Sequence, residues 1–405
     1  MKNGQPTSRR RLLSAFVSFV GAWCVQSHAA IPGFDPVPPE YSVVRAEVAL
    51  ANLPAPRDPI ALGICGPAAA TALIEFERCN QQKQNCTTLS DSRRPSLLDV
   101  ARLAQSLPNA ADQNDLDSYP RIVSEGAPGL FSLINAYFQT KEVSTEACAP
   151  IAPITTGVIP MDRGVSRAAQ EKASIDLLAR LRVLHRESRA RFAACASARS
   201  SPDCRKDLIA LASTQMNVLL GTSKSVGVPA ARVGDALGAE SFEEFIGRLL
   251  IDPACSESKN LLSFASQFQT LRYWPLVESD RKLEASLLKI ESVLRSNHLV
   301  IVDFVCLKDG FARDKNCLSV SSTELLPAGT SLAHTTVISG VRQMCNRAGE
   351  CMGAVRILNS WGQRWQDENA GGWVRASKFF AQTGYPLKNL AWIEDVDPSA
   401  SPTRR

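Results

Sequence analysis

Ala354-Val355-Arg356-Ile357-Leu358-Asn359-Ser360-Trp361-Gly362, with Trp365 and Gly371-Gly372-Trp373 close behind, is the stretch on which the fold reading turns. Its first five residues have the apolar, β-branched character of a strand, and Trp373-Val374-Arg375 starts another. Upstream, Leu299-Val300-Ile301-Val302-Asp303-Phe304-Val305 and Thr335-Thr336-Val337-Ile338 read as two more strands, after a helix over residues 282–296. His334 opens the second of these. A histidine on one strand and an asparagine closing its neighbour suit a general base held in orientation by a third group. The other two histidines beyond residue 29 read differently. His185, in Leu184-His185-Arg186-Glu187, suits a solvated helix face, and His298 suits a turn before a strand.

Farther toward the N-terminus the pattern becomes helical. Ala68-Ala69-Ala70-Thr71-Ala72-Leu73-Ile74-Glu75-Phe76 is a strong helix former. Pro67 falls in its first turn, where the missing N–H costs nothing. Cys65 is therefore expected at or just before a helix N-terminus, where the partial positive charge favours a thiolate. Further helices are expected over residues 96–107, 126–140 and 240–251, and two more within 166–219, where Ile175, Leu178, Leu181 and Leu184 keep helical spacing. The order, mostly helix first and mostly antiparallel sheet second, predicts an α+β fold. Residues 30–60, rich in proline, read as an extended lead-in, and 397–405 as a disordered tail.

The cysteines sharpen the reading. Of the twelve, Cys24 falls in residues 1–29, which have the basic start (Arg9, Arg10, Arg11), short apolar run and small-residue end of an export signal. Eleven remain. Spacing suggests the pairs Cys79–Cys86, Cys195–Cys204, Cys306–Cys317 and Cys345–Cys351, then Cys148–Cys255 over a long range, which leaves Cys65 over. Disulfides persist in oxidising compartments, so the expected location is the periplasm or the extracellular space. With no Cys-x2-Cys pair, no metal site is expected, nor any cofactor. The signal holds Lys2, three arginines and no acid, so 41 basic residues face 40 acidic ones in the rest of the 405-residue chain. That balance gives no electrostatic case for nucleic acid. No later run of about 18 apolar residues predicts a membrane anchor.

Asn359-Ser360-Trp361-Gly362, Trp365 and Gly371-Gly372-Trp373 resemble the signature around the orienting asparagine of the papain family of cysteine peptidases. His334-Thr335-Thr336-Val337-Ile338-Ser339-Gly340 resembles that family's histidine strand. Leu62-Gly63-Ile64-Cys65, with Glu75 ten residues beyond the cysteine, resembles the nucleophile helix of its bacterial members. Cys65-Gly66-Pro67-Ala68-Ala69 is also similar to the cysteine motif of the bacteriocin-leader-processing peptidases. The resemblance implies a papain-like two-lobed fold, a helical lobe over 30–140 and an antiparallel β lobe over 276–396, with a helical insertion over 141–275. It implies Cys65 as nucleophile, His334 as base and Asn359 as orienter, supported by Gly63, Gly66 and Trp361, which would shield the His–Asn hydrogen bond. The substrate implied is a peptide or protein.

Three departures stand against it. In many members the motif reads Cys-Gly-x-Cys-Trp with the second cysteine as nucleophile, an alignment that would put Ala68 at the reactive position and leave a peptide- or partner-binding protein without activity. Pro59 stands where the family has an oxyanion-hole glutamine, and loss of one such donor costs about 10²–10³ in rate. Only about 35 residues separate the expected cleavage point from Cys65, too few for the inhibitory propeptide of papain relatives. The 141–275 insertion is expected to pack as a subdomain, cap the cleft or take a protein partner.

Overall fold

A computed structural model describes residues 35–57, 65–103, 138, 140–151, 167–197, 202–220, 228–263, 269–275, 280–307, 332–381 and 389–395. The fold is mixed helix and antiparallel sheet. Helix α1 (Cys65–Gln82) is buried along almost its whole first half, from Gly66 to Glu77 apart from Ala72. A helix that is apolar nearly all round belongs inside a core, and α1 packs there against the sheet. The core holds Leu73, Ile74 and Phe76 of α1 together with Val300, Ile301, Val302, Val337, Ile338 and Ile357.

The sheet, seven-stranded among the described residues, is built from β1 (Val43–Ala49), β4 (Gln269–Pro275), β5 (Val300–Leu307), β6 (Leu332–Cys345), β7 (Cys351–Leu358), β8 (Trp373–Arg375) and β9 (Asn389–Asp395). Its order is β4-β9-β5-β6-β7-β8, with β1 also on β6. A second, two-stranded sheet pairs β2 (Glu142–Ser144) with β3 (Leu261–Ser263). β6 is the axis. On one edge it pairs with β5 through Ile338 and with β1 from Gly340 onward, while β7 runs along the other. The β6–β7 register slips between Ile338 and Gly340. A bulge of this kind bends the strand and raises its twist, and here it falls where the neighbour on the opposite edge changes.

The remaining α-helices among the described residues are α2 (Leu97–Leu103), α3 (Arg167–Ser197), α4 (Pro202–Leu219), α5 (Ala230–Leu237), α6 (Phe242–Leu250), α7 (Asp280–Arg295), α8 (Gly362–Glu368) and α9 (Ala376–Ala381). Helices α3 to α6 build a second core with α2, in which Leu181, Met216, Phe245 and Leu249 are buried. Several expectations change. The lead-in contains a strand, β1, and β4 of the main sheet lies inside the stretch read as helical. The signal segment, the tail and nearly all of the 126–140 helix fall outside the described residues.

His185 is a correction, whereas His298 follows the turn at residues 296–297 and precedes β5 as expected, but is buried there. His185 is buried between α3 and α6: its Nε2 donates to the Ala239 carbonyl at 3.2 Å and its ring lies 4.7 Å from that of Phe245. His298 is buried against α1, with Nδ1 3.1 Å from Oε1 of Glu77. A buried carboxylate needs a partner, and His298 supplies it. Burial lowers the His298 pKa, but the hydrogen bond and charge of Glu77, with Asp395 and Glu394 of β9 adding, outweigh it and the net shift is upward. Glu77 is raised as well, by burial first, with His298 opposing and Asp395 adding.

Both groups therefore hold their protons more tightly folded than unfolded. The His298 contribution is complete below its ordinary value of about 6.5 and lost as pH rises through the raised one. Urea denaturation between about pH 6 and about pH 9 is expected to show falling stability, with a flatter profile when both partners are replaced, in His298→Gln with Glu77→Gln. Equal slopes in the two proteins would remove this assignment.

Candidate active site

His334 lies on β6 opposite Val305 of β5, three residues before Val337, which pairs with Leu358, the last residue of β7. Asn359 follows directly, so the antiparallel register brings the end of β7 beside the start of β6. His334 Nε2 lies 2.8 Å from Asn359 Oδ1, and both residues are 1% exposed. The Ser360 N–H donates to the same oxygen at 2.9 Å. That second donor fixes which amide atom is oxygen, and an amide oxygen only accepts. His334 must therefore donate from Nε2, which leaves Nδ1 as its basic nitrogen.

Trp361 covers the pair. Its ring lies 4.8 Å from the imidazole at 30°, and Trp365 of α8 meets Trp361 edge-on at 5.7 Å. Both indoles are buried. In such a dry setting a hydrogen bond is electrostatically stronger than in water, so the imidazole is held in orientation and tautomer.

Cys65 opens α1, is partly exposed and is not a disulfide partner of any described cysteine. Gly66 is buried behind it, while Gly63 and Pro59 lie outside the described residues. Ala68, Ala69 and Ala72 of the same helix line a small recess together with Thr335 of β6 and Asn359 and Ser360. The other wall is Pro54, Ala55, Pro56 and Arg57. The first turns of α1 and the corner that carries Asn359 thus face each other.

Beneath this recess is a charge cluster whose members the sequence reading passed over, apart from Glu75. Glu75, fully buried, accepts from Arg57 Nη2 at 2.7 Å and from Arg94 Nε at 2.9 Å. Arg57 Nη1 reaches Glu146 Oε2 at 2.8 Å. Burial pulls the Arg57 pKa down, and the two carboxylates more than restore it. The available signal was Glu75 itself: a carboxylate inside an apolar helix run calls for a cation.

Among the described residues, four cysteine pairs lie at disulfide distance: Cys79–Cys86, Cys148–Cys255, Cys195–Cys204 and Cys345–Cys351. The first joins the end of α1 to the following turn, the third joins α3 to α4, and the last closes the β6–β7 hairpin. Cys306 is on β5, and Cys317 lies outside the described residues. Among the described residues, no helix is long and apolar enough to cross a membrane.

The chain matches no family model and no curated protein. Solved structures similar to it include xylellain, a cysteine protease from Xylella fastidiosa, at 14% identity and a TM-score of 0.35, covering 93% of this chain and 96% of that one.

Proposed function

We propose that the chain is an exported papain-like cysteine peptidase that hydrolyses peptide bonds through Cys65, His334 and Asn359. The observation that carries the reading is the buried His334–Asn359 hydrogen bond under Trp361, with Nδ1 as the basic nitrogen. The cleft of this reading runs between a helical lobe led by α1 and a β lobe carrying β6 and β7.

In the reaction, His334 Nδ1 takes the Cys65 proton and the thiolate attacks the substrate carbonyl carbon. The tetrahedral intermediate collapses to a thioester as His334, now imidazolium, returns a proton to the departing amine. Water then enters, gives a proton to Nδ1, adds to the thioester and releases the acid, with the proton going back to sulfur. Through both halves Nε2–H stays on Asn359, which prevents the ring from rotating and the tautomer from switching. The Cys65 N–H is the oxyanion donor of this reading, since Pro59 has none.

Labelling with an epoxysuccinyl peptide at neutral pH tests it. The expected result is rapid, stoichiometric modification of Cys65 together with loss of hydrolysis of fluorescein-labelled casein. A Cys65 thiol that stays unmodified while free cysteine reacts would sink the peptidase reading and leave a peptide-binding protein of the same fold.

A further inference from the structure

Helix α1 seats on the sheet mainly through apolar side chains. Apolar packing is non-directional, whereas proton transfer requires the two heavy atoms within hydrogen-bond reach, and misplacement by about 1 Å can cost about 10²-fold in rate. A site split between α1 and the β6–β7 end therefore needs a directional tie between them.

Arg57 has the required reach. Its guanidinium donates from Nη2 to Glu75 on α1 at 2.7 Å and to the Pro95 carbonyl just before α2 at 2.8 Å, and from Nη1 to Glu146 just after β2 at 2.8 Å. Its own carbonyl accepts the Gly362 N–H at 3.1 Å, one residue past Trp361. The partners are fixed in turn. Glu146 accepts the Leu97 and Ile151 N–H groups at 3.1 Å each, and Glu75 is also held by Arg94, whose Nη2 reaches the Ala55 carbonyl at 3.3 Å. The Arg57 side chain is 10% exposed. One residue thus grips the helix that carries Cys65 with its side chain and the loop that carries Asn359 and Trp361 with its main chain.

We propose that Arg57 is a positioning residue of the active site, setting the register of α1, and so of Cys65, against the corner that presents His334 and Asn359. The proposal rests on the Cys65–His334 reading above. The planar fork matters more than the charge alone, because two nitrogens of one plane reach two carboxylates on different elements, which a lysine ammonium does not reproduce.

The test is the pH dependence of iodoacetamide alkylation of Cys65 in the exported chain, for wild type, Arg57→Lys and the charge-balanced pair Arg57→Gln with Glu75→Gln. Truncating Arg57 alone would strand two largely buried carboxylates and risk unfolding; Arg57→Lys keeps the charge, and the double variant leaves only Glu146, which still accepts the Leu97 and Ile151 N–H groups. In wild type the thiolate is expected well below the ordinary thiol value of about 8.5. In both variants, with near-UV circular dichroism unchanged, the inflection should move up by about one unit, a roughly tenfold loss of thiolate at pH values below both inflections, and casein hydrolysis should lose kcat with little change in KM. Variant profiles that overlay an acid-shifted wild type overturn the positioning role and leave the peptidase reading standing. A wild-type profile with the ordinary inflection removes the Cys65–His334 pair, and the positioning role with it.

Discussion

Replacing His334 by alanine is expected to lower kcat on labelled casein by about a thousandfold or more, within the 10²–10⁴ range typical of a positioned general base, with KM changed only a few-fold. The imidazole acts on protons in flight, so its loss removes stabilisation made in the transition state rather than in substrate binding, and kcat and kcat/KM should fall together. Asn359→Ala is the informative companion. It removes the acceptor of Nε2–H, while Trp361 still lies against the ring at 4.8 Å. The imidazole stays in place but is no longer confined to one tautomer, so the loss should be smaller, about ten- to a hundredfold. A His334→Ala protein keeping more than about a tenth of wild-type turnover would remove the imidazole from the mechanism.

The parts of this arrangement that could be read in the sequence are those written locally. The strand ending in Asn359 and the strand opening on His334 are short apolar runs with polar residues at their ends, and the alanine-rich run after Cys65 is a helix former on propensity alone. What stayed hidden depends on partners far away along the chain. His185 sits among Arg186 and Glu187 and looks solvated, yet it is buried because Ala239 and Phe245, more than fifty residues on, close over it. His298 looks like a turn residue, yet Glu77 waits for it 221 residues earlier. The strands missed, β1 and β4, are weakly patterned. β1 is mostly exposed and lies in a proline-rich stretch, and β4, paired with β9, ends in Pro275, which a strand interior would not tolerate. Arg57 escaped notice for the same reason as the histidines: nothing within ten residues of it shows that Glu75 and Glu146 will converge there.

The glycine pair behind the site carries the largest stability prediction. Gly372 has φ +90°, and a Cβ there would fall well inside van der Waals contact of the Ile357 carbonyl oxygen and of Gln366 Oε1. Neither neighbour can step aside freely. The Ile357 carbonyl belongs to β7 two residues before Asn359, and Gln366 Nε2 donates to that same oxygen at 3.0 Å. Gly372→Ala should therefore combine the strain of a left-handed backbone with a clash against main chain, roughly 3–5 kcal/mol in all. Gly349, in the β6–β7 turn, gives the control: it has φ +85° with nothing within 4 Å of an added Cβ, so Gly349→Ala should cost only the backbone part, about 1 kcal/mol. Urea midpoints of the two variants separate strain from clash directly. The clash should also push the end of β7, so that Gly372→Ala, assayed well below its midpoint, loses kcat while Gly349→Ala does not. Equal destabilisation in the two variants would mean that the corner behind Asn359 is not closed by Gly372, and the rigidity of the His334–Asn359 pair would need another source.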